Sequence, residues 1–221
     1  MSNLKGVGVA LVTPFNEDLS VDFDSLTRLV EYNIENGTNY LVVLGTTAEA
    51  ATLSAAEKQE VIKHVIKINN KRLPLVLGIG GNNTLEVKKQ IEEADLTDFD
   101  AVLSVSPYYN KPNQEGLYQH YKMLASTGKQ IIIYNVPGRT GQNIEASTTL
   151  RLANEFPNLF MIKEAAPNIL QYFDILRKKP ANFSLVSGDD EYTLPVTLAG
   201  GDGVISVIGQ GYPKEFSTMV Q

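Results

Sequence analysis

Apolar and β-branched runs recur along the chain, and each is continuous instead of alternating with polar residues. A strand with this pattern is buried on both faces, as in a parallel sheet that helices cover. The pattern predicts eight such strands, at residues 7–12, 40–44, 75–79, 101–105, 131–134, 160–162, 183–186 and 203–207.

Segments with helical spacing lie between the predicted strands. Apolar residues three or four positions apart predict one helix around Phe23, Leu26, Val30 and Ile34, which Gly37 ends. Residues 54–57, Ser-Ala-Ala-Glu, fit a capping box that begins another helix. This alternation predicts a (β/α)8 TIM barrel, with a doubly wound open sheet as the alternative. In a barrel, chemistry gathers at the carboxyl ends of the strands.

The composition indicates which classes of protein the chain can belong to. The 221 residues are 43% hydrophobic and 20% charged, which fits a single domain over residues 1–221. A net charge of -6 without a basic stretch argues against nucleic acid as a partner. No apolar run approaches the ~20 residues of a membrane span, and no secretory leader precedes the first strand. We therefore expect a cytoplasmic protein that binds no membrane.

The sequence offers little for a metal or a bound cofactor. It has no cysteine, which excludes disulfides and zinc-thiolate sites. The two histidines, His64 and His120, lie in predicted helices without other ligands at metal-binding spacing. Glycines 78, 80 and 81 follow a strand but lack the third glycine at the spacing of a dinucleotide site. We expect neither a metal nor a bound cofactor.

Lys163 is the most informative residue, because it follows the apolar run of residues 159–162 directly. Burial there would favour the neutral amine and lower the pKa from its reference of about 10.4. Such a lysine is a candidate Schiff-base nucleophile. The alternative is a strand-end lysine whose stem packs on apolar surface while its ammonium reaches solvent.

Other polar side chains follow neighbouring strands. Tyr134 ends the strand before Lys163, so its phenol is expected within proton-transfer distance of the amine, unless it merely caps a backbone group. Arg139, in the next loop, has a planar guanidinium suited to a carboxylate. Thr46 and Thr47 follow the second strand and offer hydroxyls and N–H groups to an anion or a reacting proton, or belong to an ordinary turn.

Six segments, in chain order, carry a resemblance to a known family. They are Gly-Thr-Thr-Ala-Glu at 45–49, Pro-Tyr-Tyr-Asn at 107–110, Tyr-Asn-Val-Pro-Gly-Arg-Thr-Gly at 134–141, Ile-Lys-Glu-Ala at 162–165, Ser-Gly-Asp-Asp at 187–190 and Gly-Val-Ile-Ser-Val at 203–207. Together they closely resemble the 4-hydroxy-tetrahydrodipicolinate synthase family, also called dihydrodipicolinate synthases, within the pyruvate-dependent class I aldolases. The resemblance covers nearly the whole chain.

The resemblance implies a lyase that condenses pyruvate with L-aspartate 4-semialdehyde, in diaminopimelate and lysine biosynthesis. Lys163 would form the imine with pyruvate, and this covalent intermediate takes the place of a cofactor. Tyr134, Thr46 and Tyr109 would form the proton relay. In the family, the tyrosine that matches Tyr109 comes from a second subunit across a tight dimer interface.

The resemblance also implies how the substrates are held. Thr47 and its backbone would bind the carboxylate of pyruvate, and Arg139 would bind the carboxylate of the aldehyde. The backbone carbonyls of Gly188 and Ile205 would line the site. Family members assemble as tetramers, dimers of dimers, so the resemblance implies a homo-oligomer.

Departures from the family pattern concern regulation and one loop. Asn82, Glu86 and Tyr108 match a pocket for lysine feedback inhibition, while Ala55 and Lys58 stand where the family often has histidines. Feedback sensitivity is therefore left open.

Ala48 stands where the family usually has glycine, and it would strain the loop if the position requires a left-handed backbone.

The chain reaches only residue 221, soon after the eighth predicted strand. We therefore expect a barrel truncated after its eighth strand and helix, without the family's C-terminal helical region.

Two other functions remain alternatives: another pyruvate-dependent aldolase, such as an N-acetylneuraminate lyase-like enzyme, and a non-catalytic homologue that binds a keto acid. Arg139 favours the synthase because its loop suits a small aldehyde that carries a carboxylate.

Overall fold

Eight parallel strands close into a barrel in chain order in the computed structural model, which describes residues 4–221. The first strand pairs with the last, so the predicted (β/α)8 barrel is confirmed and the open sheet is excluded. The strands are β1 Gly6–Ala10, β2 Tyr40–Val43, β3 Leu75–Gly78, β4 Ala101–Val105, β5 Ile131–Asn135, β6 Leu159–Glu164, β7 Ser184–Ser187 and β8 Gly203–Ser206.

Helices cover the outside of the barrel. They are α1 Phe23–Glu35, α2 Ala55–Asn69, α3 Thr84–Glu93, α4 Gln114–Ala125, α5 Pro137–Thr140, α6 Ala146–Glu155, α7 Ile169–Lys178, α8 Thr193–Leu198 and α9 Pro213–Val220. The predicted capping box is present, since Ser54 accepts from the N–H of Glu57 and the Glu57 carboxylate accepts from the N–H of Ser54. Over the described part of the chain, none of these helices has the length and apolar character that crossing a membrane requires.

The strands are buried on both faces, as their continuous apolar sequences predict. Inside the barrel, one cluster of buried side chains includes Ile132, Tyr134 and Met161. Towards the helices, a second cluster includes Ile133 and Ile162. The side chains of neighbouring residues in one strand therefore point alternately into the barrel and towards the helices.

One register shift interrupts the alternation in β6. Ile131 pairs with Leu159 but Ile132 pairs with Met161, so Phe160 is an extra residue. Phe160 and Met161 consequently both belong to the cluster inside the barrel. Such a bulge exchanges the two faces of the strand beyond it. The residues of β6 after Phe160 therefore take the opposite faces from those that an unshifted pairing would give.

The first pair of residues in the seam between β1 and β8 leaves no room for a side chain at Gly203. Gly6 pairs with Gly203, and a Cβ on Gly203 would lie 2.0 Å from the carbonyl oxygen of Gly6. Gly203 also has a φ of +137°, which disfavours residues with a Cβ. The closure of the barrel thus depends on glycine at this position.

We expect Gly203→Ala to lower the free energy of unfolding by about 3 kcal/mol, because the methyl group forces the seam apart and the backbone is strained. Urea unfolding measures the loss. Gly200→Ala is the matched control, since Gly200 has a φ of +94° but no heavy atom within 4 Å of the added Cβ. Equal losses in the two variants would contradict a steric role for Gly203.

Candidate active site

Two side chains meet at the carboxyl end of the barrel. Tyr134 of β5 pairs with Lys163 of β6, and the Lys163 Nζ lies 4.3 Å from the centroid of the Tyr134 ring. Lys163 is only 4% exposed and Tyr134 only 5%. The lysine is therefore not a strand-end residue with its ammonium in solvent.

The amine of Lys163 is poorly solvated. Burial lowers the pKa of Lys163 to about 8, because low-dielectric surroundings disfavour the ammonium. The carboxylate of Asp190 raises this pKa, and the guanidinium of Arg139 lowers it further. With a pKa of about 8, roughly a tenth of the lysine is free amine at pH 7. Lys163 thus has the character of a nucleophilic amine.

The phenol of Tyr134 is held neutral beside this amine. Burial raises the pKa of Tyr134, while the Arg139 charge and the neighbouring Thr46 hydroxyl lower it. Within residues 4–221, the Tyr134 hydroxyl makes no hydrogen bond to the backbone, so it is not a capping tyrosine. A neutral phenol next to an amine can donate a proton and accept one back.

Gly188, which follows β7, leaves space for the Lys163 side chain. A Cβ on Gly188 would lie 2.8 Å from Cγ and 2.9 Å from Cε of Lys163. Any larger residue would push the lysine stem away from its present path. Ile205 of β8 is fully buried in the same cluster as Tyr134. The structure therefore brings Gly188 against the lysine and Ile205 into the inside of the barrel.

Thr46 and Thr47 lie in a 3-10 turn, Thr46–Ala48, that follows β2. Ala48 is buried, and its carbonyl accepts a hydrogen bond from the Thr13 hydroxyl at 2.7 Å. In this loop Leu44 and Glu49 have left-handed backbone conformations, with φ values of 56° and 54°, and Ala48 does not. The strain considered for Ala48 is therefore absent, because the left-handed positions lie before and after the turn that contains Ala48.

A cavity of about 850 Å³ opens at the mouth of the barrel. Thr46, Tyr134 and Arg139 are among the residues that line it. Lys163 is not among them, but its amine lies 4.3 Å from the centroid of the Tyr134 ring, which does line the cavity.

Tyr109 does not join these side chains in the single chain. It is 89% exposed and has a φ of 74°, an uncommon backbone conformation for a residue other than glycine. Its predicted part in the relay needs a second copy of the chain and stays a prediction.

The three residues of the predicted feedback pocket lie at the outer side of the same region. Tyr108 lines the cavity together with Ala55 and Lys58 of α2. Asn82 and Glu86 are exposed, and the carbonyl of Asn82 accepts a hydrogen bond from the Asn110 side chain at 3.1 Å. Neither of these two lines the cavity, so the structure brings only Tyr108 to it.

Several polar residues beside the site were not predicted from the sequence. Asp190 accepts hydrogen bonds from the Ser206 hydroxyl and from the N–H groups of Val207 and Ile208, and so ties the end of β7 to that of β8. Asn135 and Glu164 each follow a predicted site residue and are fully buried on the opposite face. The sequence could have indicated Asn135 and Glu164, because each is a polar residue at a strand position that faces the helices.

The histidines do not form a metal site. His64 contacts the Thr27 hydroxyl at 2.8 Å, and His120 contacts the Thr84 hydroxyl at 2.8 Å. Burial lowers the pKa of His120 to about 4, so it is neutral. In the part of the chain that the structure describes, no group of three or more histidine or acidic side chains could hold a metal ion.

A model of the Dihydrodipicolinate synthetase family matches residues 3–221. The chain belongs to this family. The family assignment predicted from the six segments is therefore confirmed.

Relatives within the Dihydrodipicolinate synthetase family agree with this assignment. The 4-hydroxy-tetrahydrodipicolinate synthase of Flavobacterium psychrophilum is 60% identical over 217 residues, which are 98% of this chain and 74% of the relative. The synthase of Parabacteroides distasonis is 55% identical over 220 residues, 99% of this chain and 74% of the relative. The predicted enzyme class, a lyase of this synthase type, is confirmed.

A solved structure in the family has the same barrel. The chloride-inhibited dihydrodipicolinate synthase from Acinetobacter baumannii, in complex with pyruvate, superimposes with a TM-score of 0.93 at 45% identity. The match covers 97% of this chain and 74% of that one.

Replacing Arg139 should raise the pKa of Lys163, because the guanidinium charge disfavours a second positive charge nearby. We expect Arg139→Gln to move the pH midpoint of Lys163 labelling by a small amine-reactive reagent upwards, as measured by peptide mass mapping. The shift should shrink in high salt.

Arg151→Gln is the matched control, because Arg151 pairs with Glu115 and Glu155 on the outer surface. An equal shift in both variants, or none in Arg139→Gln, would mean that Arg139 does not act on the amine.

Proposed function

We propose that the chain condenses pyruvate with L-aspartate 4-semialdehyde to 4-hydroxy-tetrahydrodipicolinate, in diaminopimelate and lysine biosynthesis. The observation that carries the proposal is the buried amine of Lys163, whose pKa of about 8 leaves it partly neutral and whose Nζ lies 4.3 Å from the Tyr134 ring centroid. An amine with this character attacks a ketone carbon, whereas an ordinary surface lysine is almost fully protonated at neutral pH.

The first step would join Lys163 to pyruvate. The neutral amine adds to the keto carbon, the carbonyl oxygen leaves as water, and a protonated imine remains. This cation withdraws electrons from the adjacent methyl group, which then loses a proton to give an enamine. The enamine carbon attacks the aldehyde carbon, and the electron pair of the aldehyde bond goes to its oxygen, which takes up a proton. This addition restores the imine to Lys163, and the amino group of the former aspartate semialdehyde then adds to the imine carbon, which closes the ring and releases the amine of Lys163. Lys163 itself supplies the electron sink, so the proposal requires no cofactor.

The proton transfers would run through Tyr134 and Thr46. The Thr46 hydroxyl lies close enough to the phenol to lower its pKa, and the phenol covers the amine. Protons could therefore pass between the imine and the cavity without bulk water. We assign the third hydroxyl of the relay to Tyr109 of a second copy, because Tyr109 is exposed in the single chain. A homo-oligomer, a tetramer in the family, is part of this proposal.

The two substrate carboxylates would bind on different sides of the amine. We propose that Thr47 and its backbone bind the carboxylate of pyruvate and that the backbone carbonyls of Gly188 and Ile205 line the site. Arg139 is exposed at the mouth and lines the cavity, which suits the aldehyde that enters second.

Two further proposals follow from the family. We propose Asn82, Glu86 and Tyr108 as residues of a lysine-binding regulatory pocket at an interface between copies. The cytoplasm, expected from the sequence, remains the proposed location.

Lys163→Ala should abolish the adduct that borohydride traps from pyruvate, because the buried, partly neutral amine is removed. Intact mass and peptide mapping measure the adduct, which the parent chain should carry on Lys163. Lys214→Ala, which removes an exposed lysine of α9, should trap pyruvate as the parent chain does. If the parent chain traps no pyruvate at all, the proposed function is wrong.

Arg139→Ala should raise the KM for aspartate semialdehyde about a hundredfold, in keeping with the loss of a charged hydrogen-bonding partner worth roughly 1.5–3 kcal/mol. Trapping of pyruvate on Lys163 should change much less. A coupled assay with aspartate semialdehyde measures KM, and borohydride trapping measures imine formation. Equal losses in both would argue against a carboxylate clamp.

A further inference from the structure

The carboxylate of Glu164 lies directly behind the site, on the opposite face of β6 from Lys163. We propose that Glu164 is a positioning residue: through a closed ring of buried side chains it holds the loop that carries Arg139. This inference rests on the proposed function, since Arg139 matters only if it binds the second substrate.

Glu164 is fully buried, and both of its oxygens accept hydrogen bonds. Oε1 accepts from the Asn135 side-chain amide at 2.8 Å and from the N–H of Ala166 at 2.8 Å. Oε2 accepts from the Gln171 amide at 2.9 Å. All three partners are N–H donors, which matches a carboxylate and leaves no acceptor for a proton on it.

The same amides reach the end of the Arg139 loop. The Asn135 amide also donates to the Asn143 oxygen at 2.8 Å, and the Asn143 amide donates to the Gln171 oxygen at 2.8 Å. The Asn135 oxygen accepts from the N–H of Ile144 at 2.9 Å. Glu164, Asn135, Asn143 and Gln171 therefore form a closed ring, and two of its bonds end on the loop.

The ring has a fixed direction because one member only accepts. Each amide offers both a donor and an acceptor, so a ring of four amides could reverse, whereas the carboxylate makes its two neighbours point their N–H groups towards it. The N–H of Ile144 fixes Asn135 in addition, since a flipped Asn135 would face it with a donor. If Glu164 is replaced by glutamine, every combination of amide orientations in the ring therefore leaves one place where two N–H groups face each other.

The loop between these anchors is short, and Arg139 is exposed in it although its neighbour Thr140 is buried. Arg139 lies in α5, which begins directly after Val136 and is followed by Gly141 with a φ of 72°. The Val136 carbonyl accepts from the N–H groups of Arg139 and Thr140 and holds the start of the loop. Asn143 and Ile144 hold its end through the ring. Both ends must stay fixed for the guanidinium to keep its place at the cavity.

A purely structural role would not need an acid there. An apolar residue would fill a helix-facing strand position without the cost of burying a charge. That cost is visible in the pKa of Glu164, which burial raises to about 7 although its three hydrogen-bond donors and the nearby N–H of Ala165 lower it. The strand itself is held by pairing of Lys163 with Tyr134 and Val186, which does not involve the Glu164 side chain.

The test compares Glu164→Gln with Thr149→Val. Thr149 is fully buried in α6 and its hydroxyl makes no hydrogen bond among the described residues, so this control changes a buried polar residue without breaking a bond. We expect Glu164→Gln to raise the KM for aspartate semialdehyde about tenfold, the factor that one lost buried hydrogen bond predicts. Pyruvate trapping on Lys163 should change less than about twofold, because the strand pairing is intact.

A rescue variant separates positioning from loss of folding. Glu164→Gln combined with Gln171→Glu moves the carboxylate across the ring, where it accepts from the new amide at position 164 and from the Asn143 amide. We expect the KM of the double variant to lie between that of Glu164→Gln and that of the parent chain. It should not return fully to the parent value, because residue 171 no longer donates to the Ile144 carbonyl, a bond of 3.1 Å in the parent chain.

The outcomes are distinct. A parent chain that traps no pyruvate refutes the proposed function, before Glu164 is tested. If the parent chain is active and Glu164→Gln has the KM of Thr149→Val, the positioning role is wrong. The positioning role is also wrong if pyruvate trapping and the use of aspartate semialdehyde fall together, in proportion to the unfolded fraction that urea unfolding measures. It is wrong as well if the KM of the double variant is as high as that of Glu164→Gln.

Discussion

The pairing of β5 with β6 is the constraint on which the site depends. Tyr134 and Lys163 share a face because Phe160 shifts the register by one residue. Without this shift, Tyr134 would pair with Ile162, and Lys163 would point towards the helices. The bulge therefore decides whether the chain has a buried amine beside a phenol, and the barrel around it makes the arrangement rigid.

The closed barrel also sets the properties of the amine. Burial from all sides lowers the pKa of Lys163, and the charges of Asp190 and Arg139 act on it in opposite directions. The carboxylate of Asp190 is held in place by hydrogen bonds from the N–H groups of Val207 and Ile208, at the start of the loop after β8. Gly188 contributes by its lack of a side chain. The properties of Lys163 thus depend on residues from four neighbouring strands and the loops that follow them.

The outer face of the same strands carries a second polar layer. Asn135 follows Tyr134 and Glu164 follows Lys163, so alternation along each strand puts one member of each pair in the site and the other behind it. The ring that these residues form with Asn143 and Gln171 connects the rigid sheet to an exposed loop. An exposed residue such as Arg139 can thereby keep a fixed position without being buried.

Much of the fold could be predicted from the sequence, because continuous apolar runs and capping signals depend on neighbours in the chain. The eight strands, the start of α2 at its capping box and the strand-end positions of Lys163 and Tyr134 are of this kind. The six segments also identified the family. What the sequence could not predict depends on pairing between distant residues: the shift at Phe160, the space at Gly188 and the ring around Glu164.

The sequence by itself determined which residues stand at the ends of strands, since local hydrophobic pattern and turn chemistry specify the elements. Only the tertiary structure decided which of them meet. A single unpaired residue exchanges the two faces of a strand, and no local signal marks Phe160 as that residue. The contact between the Thr13 hydroxyl and the Ala48 carbonyl likewise joins residues that are distant in the chain, so the local sequence of the turn does not reveal it.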